Sequence, residues 1–117
     1  MKTGPKSALD KINGNEPASS IYKALLKRLK SIGRFEIEPK ATSLHVVHQR
    51  GFLGVHYRKD GLLLNIVLDR ALETARLKAS EQVSRNRYHN EVLVATPREI
   101  DSELVRWVKE AHRLAAG

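Results

Sequence analysis

Residues 52–68 read FLGVHYRKDGLLLNIVL, and this stretch decides the fold. Two apolar runs flank Lys59-Asp60-Gly61, and Asp-Gly readily supplies the positive φ angles of a tight reversal between antiparallel strands. Phe52 to Arg58 is therefore one strand and Leu62 to Leu68 its partner. The second run is apolar throughout except for Asn65, which predicts a central strand buried on both faces. At seven residues it is far short of the ~20 that span a bilayer.

Upstream, Ser43 to Gln49 carries Leu44, Val46 and Val47 and reads as a strand, joined to the hairpin by a turn at Arg50-Gly51. Phe35 to Pro39 alternates Phe35 and Ile37 with Glu36 and Glu38, the period of another strand. A helix precedes it. Ile21, Leu25, Leu29 and Ile32 fall on one face, Tyr22 and Leu26 widen that face, and Gly33 ends the helix. Ser19 or Ser20 is its expected N-cap. Residues 1–18 hold Gly4, Pro5, Gly14 and Pro17 without an apolar period, so they read as a flexible tail before a single domain over 19–117. They contain no apolar stretch of secretory type, which leads us to expect a cytoplasmic protein.

Downstream, residues 69–87 have poor apolar spacing and read as a loop with room for one short helical turn. Tyr88 to Ala95 is the fifth strand, with Val92 and Val94 on one face. Thr96-Pro97-Arg98-Glu99 is a capping box with proline at the first helical position. Ile100, Leu104, Trp107, Val108, Ala111 and Leu114 continue it as one apolar stripe. The expected fold is α+β: an antiparallel sheet of about five strands with an N-terminal and a C-terminal helix packed on one face.

Charge carries the functional reading. The chain has 21 Lys and Arg against 13 Asp and Glu, a net charge of +8. Half of that excess sits on Lys23, Lys27, Arg28 and Lys30 of the first helix, which has no acid. The C-terminal helix balances its bases, with Arg106–Glu110 and Glu110–Arg113 as expected pairs. A second basic group gathers at Arg85, Arg87 and Tyr88, with Arg76 and Lys78 nearby. Lysines and arginines neutralise phosphates, and a tyrosine can stack on a base. A solvated basic face that merely aids solubility is the plain alternative.

Other chemistry is thin. Without cysteine there is no disulfide, thiolate zinc site or thiol nucleophile. His45 and His48 are three apart, so they point to opposite faces of a strand and cannot chelate one ion without a bulge, while His48 or His56 would line the solvent face. We expect no metal, no cofactor and no catalytic residue. One enzymatic alternative is a small basic ribonuclease using His89 with Arg85, Arg87 and Glu91 for proton transfer and charge stabilisation.

Residues 35–44, Gly51-Phe52-Leu53-Gly54-Val55, Asp60-Gly61-Leu62-Leu63-Leu64, Val83 to His89, and Pro97 to Leu104 with Trp107 and Ala111 occur in a familiar order. Together they resemble a bacterial and archaeal domain family of unknown function. The resemblance implies a domain often found at the C-terminus of longer chains, some nuclease-like and some labelled predicted transport proteins. The layout is similar to the MmcQ/YjbR-like (double-wing) fold, for which DNA binding has been proposed. Sequence and resemblance lead us to expect a non-enzymatic accessory domain that binds nucleic acid. A protein-interaction module is the other non-enzymatic reading.

Overall fold

The computed structural model describes residues 7–116. Helices α1 (Ala8–Asn13), α2 (Ala18–Ile32) and α3 (Ser102–Ala115) accompany six strands: β1 (Glu36–Pro39), β2 (Leu44–His48), β3 (Arg50–Arg58), β4 (Gly61–Leu68), β5 (Leu77–Ser84) and β6 (Arg87–Val94). The strands form one sheet in the order β1-β2-β3-β4-β6-β5, and every neighbouring pair is antiparallel. This is the expected α+β architecture with one strand more than expected.

The apolar pattern sets the layers. Leu44 and Val46, Leu53 and Val55, Leu62, Leu64 and Ile66, and Val92 and Val94 alternate toward the helices and are buried. Ile21, Leu25 and Leu29 of α2 and Leu104, Trp107, Val108 and Ala111 of α3 close the core from above. The β2–β3 register skips Phe52, so this extra residue and Leu53 are both buried. The β2–β3 reversal is made at Gln49, whose φ is 61°, and Arg50 and Gly51 already belong to β3. Lys59 and Asp60 form the β3–β4 turn. Gly61 has φ 152°, and a Cβ there would run into the Val94 carbonyl of the neighbouring strand.

Three local expectations are corrected. Residues 7–18 are not a loose segment: Ser7 and Asp10 form a capping box on α1, and Ala8 and Ile12 are buried in the core. The Ala8 N–H donates to the Ala41 carbonyl at 3.1 Å, tying α1 to the β1–β2 link. The remainder of the expected tail, residues 1–6, lies outside the described residues. Second, the N-cap of α2 is Pro17 rather than a serine. Glu16 takes the capping role by accepting from the Ser20 N–H at 3.0 Å, and Ser19 is buried. Third, Thr96 and Glu99 close only a 3₁₀ turn at Pro97–Glu99. The chain breaks at Ile100, and Asp101 caps α3 by accepting from the Leu104 N–H at 3.0 Å.

The largest difference is β5. Residues 69–87 were expected as a loop, yet Leu77–Ser84 is an edge strand paired with β6. Because β4 and β5 are each antiparallel to β6, they run parallel to one another, and residues 69–76 cross over β6 to join them. Asn90 of β6 anchors that crossing. It is fully buried, and its Oδ1 accepts from the Leu72 N–H at 2.9 Å and the Ser80 hydroxyl at 3.0 Å. Its Nδ2 donates to the Arg70 carbonyl at 3.0 Å and the Ile66 carbonyl at 3.3 Å.

Candidate nucleic-acid interface

Lys23, Lys27 and Lys30 stand exposed along one stripe of α2, while Arg28 is half-buried and lies about 100° round the helix from Lys27, at the flank of the apolar face. With a rise of 1.5 Å per residue, the stripe from Lys23 to Lys30 is about 10 Å long. Among the described residues none of the four lies within ion-pair distance of a carboxylate. The Glu16 carboxylate feels Lys23 but is held below its ordinary range chiefly by its hydrogen bonds with Ser20.

The arginines of the 69–76 crossing behave differently. Arg76 Nη1 contacts Asp101 at 3.0 Å and Glu103 at 3.1 Å, its Nη2 donates to the Glu99 carbonyl at 2.7 Å, and its guanidinium lies 5.5 Å from the Trp107 ring centre. Burial opposes the Asp101 charge. The hydrogen bonds from Leu104 and Arg76 still hold its carboxyl below the ordinary range. Arg70 makes a two-pronged pair with Glu110, at 2.9 and 3.2 Å. Arg76 is thus compensated and drops out of the second basic group. The expected pairing of Glu110 with Arg106 and Arg113 is also replaced. Since Glu110 goes to Arg70, the exposed Arg106, Lys109 and Arg113 stand in no ion pair among the described residues. Both α2 and α3 lie on the same side of the sheet, so the outer surface of the helix layer is lined by cations.

Arg85 and Asn86 make the β5–β6 turn, with Ser84 opposite Arg87. The Gln82 side chain donates to the Arg85 carbonyl at 3.2 Å. Arg85 is exposed and Arg87 half-buried, whereas Tyr88 turns to the helix side opposite Leu68 and Gln82. The hairpin therefore gathers the two arginines but faces Tyr88 away from Arg87. Lys78 is exposed at an irregularity of β5.

The end of α2 and the hairpin both border the last turn of α3. His112 Nε2 is 2.8 Å from the Arg34 carbonyl, and its ring stacks on His48 at 4.3 Å and meets Phe52 edge-on at 5.2 Å. Gly33 leaves room for this ring, since a Cβ there would come within 2.9 Å of His112 Cε1. On its other side the same turn, through Ala111, Leu114 and Ala115, lines a cleft with Arg50 and Arg87.

On the sheet face away from the helices, the registers align Glu38, His45, Gly54, Asn65, Glu91 and Ala79 across all six strands. His56 and His89 flank that row. His45 and His48 part to opposite faces as their spacing predicts, but His48 packs under α3 rather than facing solvent. Burial lowers the His56 pKa, aided by Arg58 and His45 and opposed by Glu91. Burial also lowers that of His89, aided by Arg87 and opposed by Glu81 and Glu91. His89 Nε2 is sealed from solvent and has no hydrogen-bond partner among the described residues. A proton-transfer group needs a nitrogen that can reach its substrate, and Nε2 is withheld from that role. Among the described residues no cluster of three or more histidine, aspartate or glutamate side chains is arranged to hold a metal ion.

Fold and surface together define a small basic α+β domain built on an open antiparallel sheet. No described helix is long and apolar enough to cross a membrane. Over residues 9–115 the chain matches the family described as Domain of unknown function (DUF5655), and it belongs to that family. The match opens inside α1, in keeping with the packing of that helix into the core. No curated protein and no solved structure matches the chain. The double-wing likeness stays an analogy of element order.

Proposed function

We propose that this domain is a non-enzymatic module that binds the phosphate backbone of nucleic acids through its helix layer. Lys23, Lys27, Arg28 and Lys30 make the primary contact. Arg85 and Arg87 at the β5–β6 hairpin supply a second one, with Tyr88 turned to the other face of the strand and reaching a base only from that side. A single observation carries the reading: no carboxylate among the described residues pairs with the four α2 bases, while the acids of α3 are taken by Arg70 and Arg76. A stripe about 10 Å long matches the spacing of roughly three phosphates along one strand.

Filter binding or fluorescence anisotropy across a salt series tests it. With roughly six to eight phosphate contacts, affinity should fall about a thousandfold or more from low to near-physiological salt. Changing Lys23, Lys27 and Lys30 to Ala should weaken binding to all sequences and lower the salt slope by about three. Salt-insensitive binding, or none at low salt, removes the proposal.

A further inference from the structure

We propose that the cleft beside the last turn of α3 binds a phosphomonoester of nucleotide size. The cleft measures about 450 Å³, within the ~300–1,000 Å³ of small-ligand sites. The inference deepens the second contact region proposed above and rests on that reading only for the role of Arg87.

The lining matches the parts of such a ligand. Val67 and Leu114, both half-buried, give the accessible apolar surface for a flat or apolar body, with the buried Phe52 and Leu68 behind them. Arg50 and Arg87 both line the cleft, and the guanidinium fork fits a phosphate with two parallel hydrogen bonds. Asp69 adds an acceptor suited to a hydroxyl or amine of the same ligand. A fatty acid or a bare anion would leave that acceptor idle.

The carbonyl end of a helix ordinarily repels anions. Here much of that end is already satisfied. Arg50 donates to the Leu114 carbonyl at 3.0 Å, and the Ala116 N–H donates to the Arg113 and Leu114 carbonyls. Arg50 keeps further N–H groups for a ligand, since a guanidinium has five. Arg87 makes no side-chain hydrogen bond or ion pair among the described residues, so its guanidinium is not committed elsewhere.

The test is an NMR titration of the isotope-labelled full chain with adenosine monophosphate and, separately, inorganic phosphate. The nucleotide should shift the amides of Gly51, Asn86, Arg87 and Ala115 saturably, and phosphate alone should bind more weakly. Arg87→Ala should weaken nucleotide binding roughly tenfold or more, with Arg87→Lys intermediate. The α2 lysine triple variant should leave it unchanged. Anisotropy with 5′-phosphorylated and 5′-hydroxyl oligonucleotides separates the two sources of the phosphate. A preference for the phosphorylated strand that Arg87→Ala abolishes assigns the cleft to strand ends. Equal binding of the two strands beside saturable nucleotide binding assigns it to free nucleotides. No saturable shift at millimolar nucleotide, or a shift indifferent to Arg87→Ala, overturns the inference. Salt-dependent oligonucleotide binding would survive that result and leave the α2 reading standing.

Discussion

Replacing Asn90 with Leu should remove a large part of the stability of this domain. The side chain is fully buried and all four of its hydrogen-bonding positions are used. Leucine keeps the branching but is bulkier, so the substitution leaves no cavity and adds some crowding to the polar loss. The Ser80 hydroxyl lies at the edge and can turn to water. The Leu72 N–H and the Arg70 carbonyl would lose the partner that Asn90 gives them, and the Ile66 carbonyl would lose one of its bonds. A buried polar group left unpaired costs about 1–3 kcal/mol, so two main-chain groups give roughly 4 kcal/mol. Against the ~5–15 kcal/mol that small domains possess, this is about a quarter or more of the total. Urea denaturation followed by circular dichroism measures the loss, and hydrogen exchange at the Leu72 amide localises it. Asn90→Asp sharpens the experiment. It keeps the acceptor but faces the Arg70 and Ile66 carbonyls with a carboxylate, so its deficit should shrink as the pH falls and the acid protonates. A loss below about 1 kcal/mol for Asn90→Leu, with Leu72 exchange unchanged, would refute the reasoning.

Two more outcomes follow from the same geometry. His112→Ala should cost about 2 kcal/mol by removing the stack on His48, the edge contact with Phe52 and the bond to the Arg34 carbonyl, lowering Tm by roughly 6–10 °C, and His112→Phe should recover part of the loss in a thermal melt. Burial depresses the folded-state pKa of His56 and His89, so both groups bind protons more readily in the unfolded chain. Their contribution to stability is complete above the ordinary histidine pKa of about 6.5 and is lost as pH falls below it, and His56→Gln with His89→Gln should flatten that fall in a pH series of unfolding curves.

Legibility in the sequence followed burial. The hairpin around Lys59-Asp60-Gly61 and the long helices were readable because one of their faces is packed, which forces a regular apolar period. β5 was not readable for the opposite reason. From Lys78 to Ser84 it is exposed on both faces, so nothing constrains its side chains to alternate, and its backbone is ordered by β6 alone. α1 escaped notice because a six-residue helix shows its apolar face only through Ala8, Leu9 and Ile12. At the candidate interface, the α2 stripe could be drawn from helical spacing. The pairing of Arg70 and Arg76 with α3 could not, since those partners lie 25 to 40 residues apart in the chain. Asn90 gave one faint signal, a polar residue at a core-facing position of an otherwise apolar strand, in step with Val92 and Val94.

The crossing above β6 makes one amide a fastener for a whole panel of the molecule. β6 separates β5 from β4, so three attachments hold residues 69 to 84: the ladder to β6, the grip of Asn90 on the overpass, and the ion pairs of Arg70 and Arg76 with α3. All three run to segments that the ribosome makes afterwards. Until β6 and α3 are in place, that panel has nowhere to dock. In the finished domain, loosening the middle of β6 leaves the panel held by surface ion pairs alone, and their loss uncovers the flank of Trp107 that Arg76 now shields.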